Sequence, residues 1–382
     1  MHRKTGYYTV DGINFESKIQ ACIFANKHNK KVEWKFNNEA FNTYNWNIEP
    51  EASLDQLYDR RAKDLREKYD YLILSYSGGA DSHNILMAFI RQNLHIDEIV
   101  VNVMEKANSK FTIIDPNNKS NWNAGAEHRL QTVPRLKEIE NTIPKTKITV
   151  LDLSDFLFNS FIEYGDASWV VDRTEGLNPL NVTRFNYTYF KEVKNQFDKN
   201  HKIGLIVGVD KPRTFIVNNE LHMAFDDRSA NIVPVSDYLS DYTNSSVEFF
   251  YWSPDALDML CKQAHVIKRY IESNLDKKHL WENFTAEKFR LIHERLLRTI
   301  LYTTWDDSWY QADKATKDWH SEFDDWFSHG YANTASYNIW KEGLSYVENN
   351  AGKFIKYKNG IADGLLHFKY TYKIGPIHHH EL

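Results

Sequence analysis

Residues 71–82 read YLILSYSGGADS, and the chain continues as HNILMAFIRQN over residues 83–93. YLILSY is a short apolar run of the kind that a buried parallel strand shows, and SHNILMAFIRQN reads as a helix. Between them, Gly78 and Gly79 let the backbone turn sharply and approach a ligand that a β-carbon would obstruct. The amides of such a turn converge with the N-terminus of the following helix, forming a concave anion site that the helix dipole reinforces. Ser77 and Ser82 add hydroxyl donors. Asp81 is out of place in an anion cradle unless a cation intervenes, and Mg²⁺ is the simplest one. The residues therefore point to a magnesium–polyphosphate site at the C-terminal edge of a parallel sheet.

The same alternation extends outward from this stretch. EIVVNV (98–103), KITVLDL (147–153) and KIGLIVGV (202–209) read as further strands. AEHRLQTVPRLKEI (126–139) and NVTRFNYTYFKEVKNQFDK (181–199) read as helices between them. Repeated βα units predict an α/β domain built on a mostly parallel, doubly wound sheet. After it, TFIVNNELHMAF predicts a hairpin turning at Asn218-Asn219. Upstream, YYTV-DG-INF predicts a hairpin at Asp11-Gly12, followed by a helix in FESKIQACIFANKHN and a strand in VEWKF. A helix from Ser53 to about Lys68 leads into the main domain. Downstream, Ser253-Pro254-Asp255 predicts a helix start, with Leu257, Leu260, Cys261, Ala264 and Ile267 on one face. The expected organisation is a small N-terminal α+β cap with its lead-in helix (1–60), an α/β domain (61–250) and a mainly helical C-terminal domain (251–382).

SGGADS matches the SGGxDS signature of the PP-loop superfamily, the N-type ATP pyrophosphatases, with their HUP-like fold. The group includes asparagine, GMP and NAD synthetases, QueC-like enzymes, tRNA-modifying enzymes and PAPS reductases. The resemblance covers about residues 66–215, without pointing to one subfamily. It implies an enzyme that binds ATP and Mg²⁺, adenylates a substrate oxygen and releases pyrophosphate. A nitrogen nucleophile, ammonia or an amine, would then displace AMP from a small-molecule acceptor. The strand at 202–209 runs into Gly208-Val209-Asp210-Lys211-Pro212-Arg213, by position similar to the family's second Gly- and Asp-containing turn. The resemblance thus implies Asp81 and Asp210 as metal ligands, with Lys211 and Arg213 neutralising the leaving pyrophosphate. It places nucleotide contacts at Ser75, Ser77, Gly78, Gly79, Ala80, Asp81, Ser82 and Gly208, and adenine recognition at Asn102 and Val103. His83 departs from the second Ser or Thr that many members carry there.

Other classes recede. There is no GxxxxGK[ST] and no GxGxxG, which disfavours a Walker NTPase or a dinucleotide enzyme. With 47 Lys and Arg against 52 Asp and Glu, no global basic field holds a polyanion, so a nucleic-acid substrate is disfavoured. The interleaved Lys353, Lys356, Lys358, Lys369 and Lys373 with Phe354, Tyr357, Phe368, Tyr370 and Tyr372 read first as an edge-strand pattern. Two cysteines preclude a disulfide framework. Cys22 and Cys261 both fall on apolar helix faces, so a reactive thiol and sulfur chemistry are disfavoured. No catalytic cysteine for a glutaminase stands near the chain start. Trp305, Trp309, Trp319, Phe323 and Trp326 recur at helical spacing and predict core packing. His378, His379 and His380 read as a tail and not as a metal site, since adjacent residues do not converge easily on one ion. The polar start and the lack of a long apolar run predict a cytoplasmic, non-membrane protein. The alternative class is a nucleotide-binding module that engages a protein partner without turnover.

Overall fold

A computed structural model describes residues 6–15, 17–103, 105–111, 127–152, 154–155, 201–225, 227, 246–282, 294–310, 329–330, 332–351, 355–358, 361–364 and 370–378. Strands β1 (Tyr7–Val10) and β2 (Ile13–Phe15) form the first hairpin. Its turn residues Asp11 and Gly12 are both left-handed, at φ 52° and 84°, the twist that a two-residue hairpin requires. Helix α1 (Lys18–His28) is capped by the Ser17 hydroxyl, which accepts from the Gln20 amide, and β3 (Glu33–Lys35) pairs with the free side of β1. A short α2 (Asn38–Thr43) follows. Helix α3 (Leu54–Lys68) opens on a capping box: Ser53 Oγ accepts from the Gln56 amide at 3.2 Å while Gln56 Oε1 accepts from the Ser53 amide at 2.9 Å.

The α/β part runs β4 (Tyr71–Ser75), α4 (Ala80–Arg91), β5 (Glu98–Val103), α5 (Glu105–Phe111), α6 (Val133–Ile139), β6 (Lys147–Asp152) and β7 (Ile203–Val207). The hairpin β8 (Arg213–Val217) and β9 (Glu220–Phe225) precedes β10 (Ser246–Phe249). Five strands form one sheet in the order β10-β7-β4-β5-β6, and every neighbouring pair is parallel. The fold class is therefore α/β, as the alternating pattern predicts. Leu72, Ile73, Leu74, Ile99, Val101, Ile203, Leu205 and Ile206 are all buried, which is why these strands read as continuous apolar runs. The chain moves outward from β4 to β5 and β6, then returns across β4 to β7 and β10. Strand order thus reverses between β4 and β7, and in open parallel sheets ligands bind in the crevice at the carboxyl ends of such strands.

Beyond the sheet lie α7 (Leu257–Ser273), α8 (His279–Glu282), α9 (Glu294–Leu301) and α10 (Ala335–Ala351). Then come the hairpin β11 (Ile355–Lys358) with β12 (Ile361–Gly364), and β13 (Tyr370–Pro376). Strand β13 pairs antiparallel with β9, so main-chain hydrogen bonds join the last described strand to the hairpin after β7. That hairpin turns at Asn218 and Asn219, with φ 51° and 63°, where the sequence places it. Helix α10 packs on α1, where a β-carbon on Gly343 would stand 2.8 Å from Ile19 Cγ2. An aromatic cluster gathers these pieces. Phe225 meets Phe41 at 4.9 Å and Trp252 at 5.1 Å, and Tyr372 meets Trp46 at 5.2 Å. Tyr372 is therefore core and presents no stacking face, while Lys373 pairs with Glu220 at 2.5 Å. Among the described residues, no helix is long and apolar enough to cross a membrane.

Two local expectations need correction. The helix predicted at Ser253 begins instead at Leu257, because Ser253 Oγ is engaged by Arg61 Nη2 and the Asp255 amide, both at 3.2 Å. Trp305 and Trp309 lie in turns after α9 and not on a helix. The predicted helix at 181–199, and Lys353, Phe354, Phe368, Lys369, Trp319, Phe323, Trp326, His379 and His380, lie outside the described residues.

Arg61 also ties α3 to the sheet edge. Its Nη2 donates to Glu248 Oε2 at 3.0 Å and to the Phe249 carbonyl at 3.1 Å, with Glu248 fully buried. Lys68 and Tyr69 also engage Glu248, so its charge is not wholly stranded without Arg61. Arg61→Ala is expected to lower unfolding stability by about 3 kcal/mol, the low end for breaking a buried ion pair. Urea denaturation checks this. A loss well under about 1 kcal/mol would show that Glu248 is neutralised by other groups.

Candidate functional site

Strand β4 ends at Ser75, and the turn that follows is shaped by what sits above it. Gly78 has φ +70°, and a β-carbon there would stand 2.8 Å from Thr132 Cα. Both the backbone angle and the space demand glycine. The covering element is a π-helical turn, His128–Thr132, leading directly into α6. Thr132 Oγ1 and Gln131 Nε2 both donate to the Ser77 carbonyl, at 2.7 and 3.1 Å, and hold the turn in place. Ser77 Oγ accepts from the Gly79 amide at 3.2 Å, and Ser82 Oγ accepts from the Ser77 amide at 3.3 Å. Gly79 stands at the N-cap of α4 and has no side chain to occupy the first-turn amides. Those amides and the positive helix end face the carboxyl edge of β4, an arrangement that favours an anion.

The end of β7 closes on this turn. A β-carbon on Gly208 would stand 3.3 Å from the Ser82 nitrogen and 3.4 Å from Asp81 Cβ, so a small residue permits the approach. That approach delivers Lys211, only 1% exposed, to Asp81: Nζ donates to Oδ1 at 2.6 Å and to Oδ2 at 2.7 Å. The same ammonium lies 3.8 Å from Asp210 Oδ1. Asp210 is itself gripped by Arg213 Nη2 at 2.7 Å and by the Lys211 amide at 2.6 Å. Arg213 packs over the Trp252 ring, 5.6 Å from its centroid. Tyr302 donates to Asp81 Oδ1, and Tyr251 donates to the Asp81 carbonyl at 3.0 Å. Burial pushes the Asp81 carboxyl above its ordinary range; Lys211 opposes that shift and Asp210 adds to it.

Asp81, Asp210, Lys211 and Arg213, expected as one group, are thus brought together from α4, the end of β7 and the start of β8. Ser77, Gly78, Gly79, Ala80 and Ser82 form the adjoining turn, with Ser75 ending β4 beneath it and Gly208 opposite. Asn102 and Val103 lie at the carboxyl end of the neighbouring β5. Asn102 Oδ1 is buried there without a hydrogen-bond partner, leaving an acceptor available to a ligand. No cluster of three His, Cys, Asp or Glu exists among the described residues. Tyr251, Tyr302, Thr132 and Gln131 were not singled out by the sequence pattern. Cys22 and Cys261 are fully buried, and burial pushes both thiols up to about 12.

His83 turns away from the ion pairs. Its Nδ1 is 3.0 Å from Tyr76 Oη, and its ring stands edge-on to Trp309 at 5.0 Å. Comparison of the chain with protein-family models gives no match, and comparison with curated protein sequences gives none.

Burial, and secondarily Arg135, pushes the His83 imidazole down to about 4 from 6.5. Between those values the unfolded chain binds a proton that the native protein refuses, so native stability falls as pH drops from 6.5 toward 4. His83→Gln is expected to lose this part of the acid dependence. Urea denaturation across that window checks it; parallel curves for the two proteins would show that His83 does not titrate as described.

Proposed function

We propose that the chain is a PP-loop ATP pyrophosphatase, which adenylates an oxygen of a small-molecule acceptor and releases pyrophosphate. The observation that carries this reading is the Asp81–Lys211–Asp210–Arg213 cluster set against the Ser77–Ser82 turn where strand order reverses. Two buried cations beside a glycine turn suit a polyphosphate, and their two carboxylates suit its counterion. In the resting site Lys211 holds Asp81. On ATP binding the ammonium swings part of its bonding to the β and γ phosphates, while the α4 first-turn amides take the remaining oxygens. Arg213 pairs with Asp210 and orients it.

Asp81 and Asp210 would hold Mg²⁺, with the phosphates completing its shell, as this ion usually requires. The Lys211 ammonium between them indicates that positive charge is already favoured at that position. Mg²⁺ would supply neutralisation of phosphate charge. The chain's own part is positioning and electrostatics: Lys211 and Arg213 stabilise charge developing on pyrophosphate, and the glycine turn fixes the leaving group. No side chain is needed as a covalent nucleophile. Asn102 supplies an acceptor that suits the adenine amino group. Ammonia or an amine would then attack the adenylate.

With ATP labelled at the α-phosphate and acceptor supplied from pooled small molecules, the labelled product is expected to be AMP or an acceptor–AMP adduct. Asp81→Asn is expected to abolish turnover, and Lys211→Ala to slow it on the order of a hundredfold. Labelled ADP would overturn the mechanism. Tight nucleotide binding with no turnover in any pool would favour a binding module instead.

A further inference from the structure

Arg135 is a buried guanidinium for which the mechanism above has no use. It lies on α6, one turn beyond Thr132, and is 3% exposed. Its Nη2 donates to the Tyr310 carbonyl at 3.0 Å, and its Cζ lies over the rings of Trp305 and Trp309, 4.4 and 4.8 Å from their centroids. Nε and Nη1 are buried and have no hydrogen-bond partner. The two rings stand nearly perpendicular to each other with centroids 5.5 Å apart, so both crowd one side of the guanidinium, and its unused N–H groups point outward in its own plane, where a planar oxyanion binds.

Among the described residues, no carboxylate pairs with Arg135, and a second guanidinium lies close by. Arg298, on α9, lies over the same Trp305 ring at 5.6 Å. Glu127 and Glu138 act on Arg135 only through space, without an ion pair. Tyr76, a phenol that burial keeps protonated, also acts on Arg135 through space, and it is joined to His83, which burial keeps neutral. A buried cation with open donors is costly unless something negative completes it. Trp305, Trp309 and Tyr310 are only half-buried, so this side of the cluster borders solvent.

The geometry points to Arg135 as an oxyanion site for a carboxylate of the small-molecule acceptor, beside the Ser77–Ser82 turn and separate from the cations that face pyrophosphate. Connection to the turn is direct: Arg135 follows Thr132, which holds the Ser77 carbonyl, and Trp309 meets His83 of α4. Describing the bound carboxylate as that of the acceptor rests on the adenylation reading; capture of an oxyanion by Arg135 does not. The same chemistry could come from a nucleotide phosphate, and the two sources are separable.

Thermal-shift titration of the full chain tests this with benzoate, with its neutral isostere benzamide, and with magnesium pyrophosphate, at constant ionic strength. Benzoate is expected to stabilise the wild type and benzamide not. Arg135→Lys and Arg135→Gln are each expected to weaken benzoate about tenfold or more while leaving pyrophosphate within about threefold. Equal benzoate binding in wild type and both variants, or no preference for benzoate over benzamide, overturns the assignment. So does a pyrophosphate loss as large as the benzoate loss, which would place a nucleotide phosphate on Arg135. So does failure of both variants to fold, which would make the guanidinium structural. If benzoate binds through Arg135 but pyrophosphate does not bind the wild type, the oxyanion site stands and the pyrophosphatase reading fails.

Discussion

One close approach organises the site: the end of β7 lies against the first turn of α4 at Gly208, and Lys211 reaches both oxygens of Asp81. The two strands that flank the reversal of strand order are thereby joined by an ion pair as well as by the sheet. Everything polar nearby follows from that pair. Asp210 is left to Arg213, Tyr302 completes Asp81, and Tyr251 secures the backbone beneath it. Removing Lys211 from water is tolerable only because Asp81 and Asp210 share its charge.

This economy has a consequence for ligand binding. A site whose charges are already paired opposes non-specific anions, because any newcomer must displace an existing partner. A polyanion arriving with its own divalent cation meets less resistance, since it replaces both members of the pair at once. Local pairing matters more here than overall charge, which is slightly acidic at −5. Arg135 presents the opposite condition: charge buried with donors still open. Lys211 is thus a buried cation satisfied internally, and Arg135 is one whose donors are not all used.

Much of this architecture is readable from the chain because it is local. Parallel strands buried on both faces read as apolar runs, and left-handed turn positions favour Gly, Asn and Asp, so 71–76, 203–207 and the hairpins declare themselves. SGGADS is readable for the same reason, since Gly78 answers to a backbone angle and a contact. What escapes is long-range. Tyr251 and Tyr302 reach Asp81 from 170 and 221 residues away and leave no period behind. Ser253 looks like a helix cap, but Arg61 engages it from 192 residues away and the helix starts later. Trp305 and Trp309 have helical spacing by coincidence, because stacking on Arg135 needs no helix.

The most direct test of the central claim is a crystal structure with Mg²⁺ and an ATP analogue whose α–β bridge is a methylene. The account predicts β and γ phosphates against the amides of the Ser77–Ser82 turn, with Lys211 Nζ drawn from Asp81 to phosphate and both carboxylates turned to the metal. A saturated crystal in which the analogue lies elsewhere, with the Lys211–Asp81 pair intact, would contradict it.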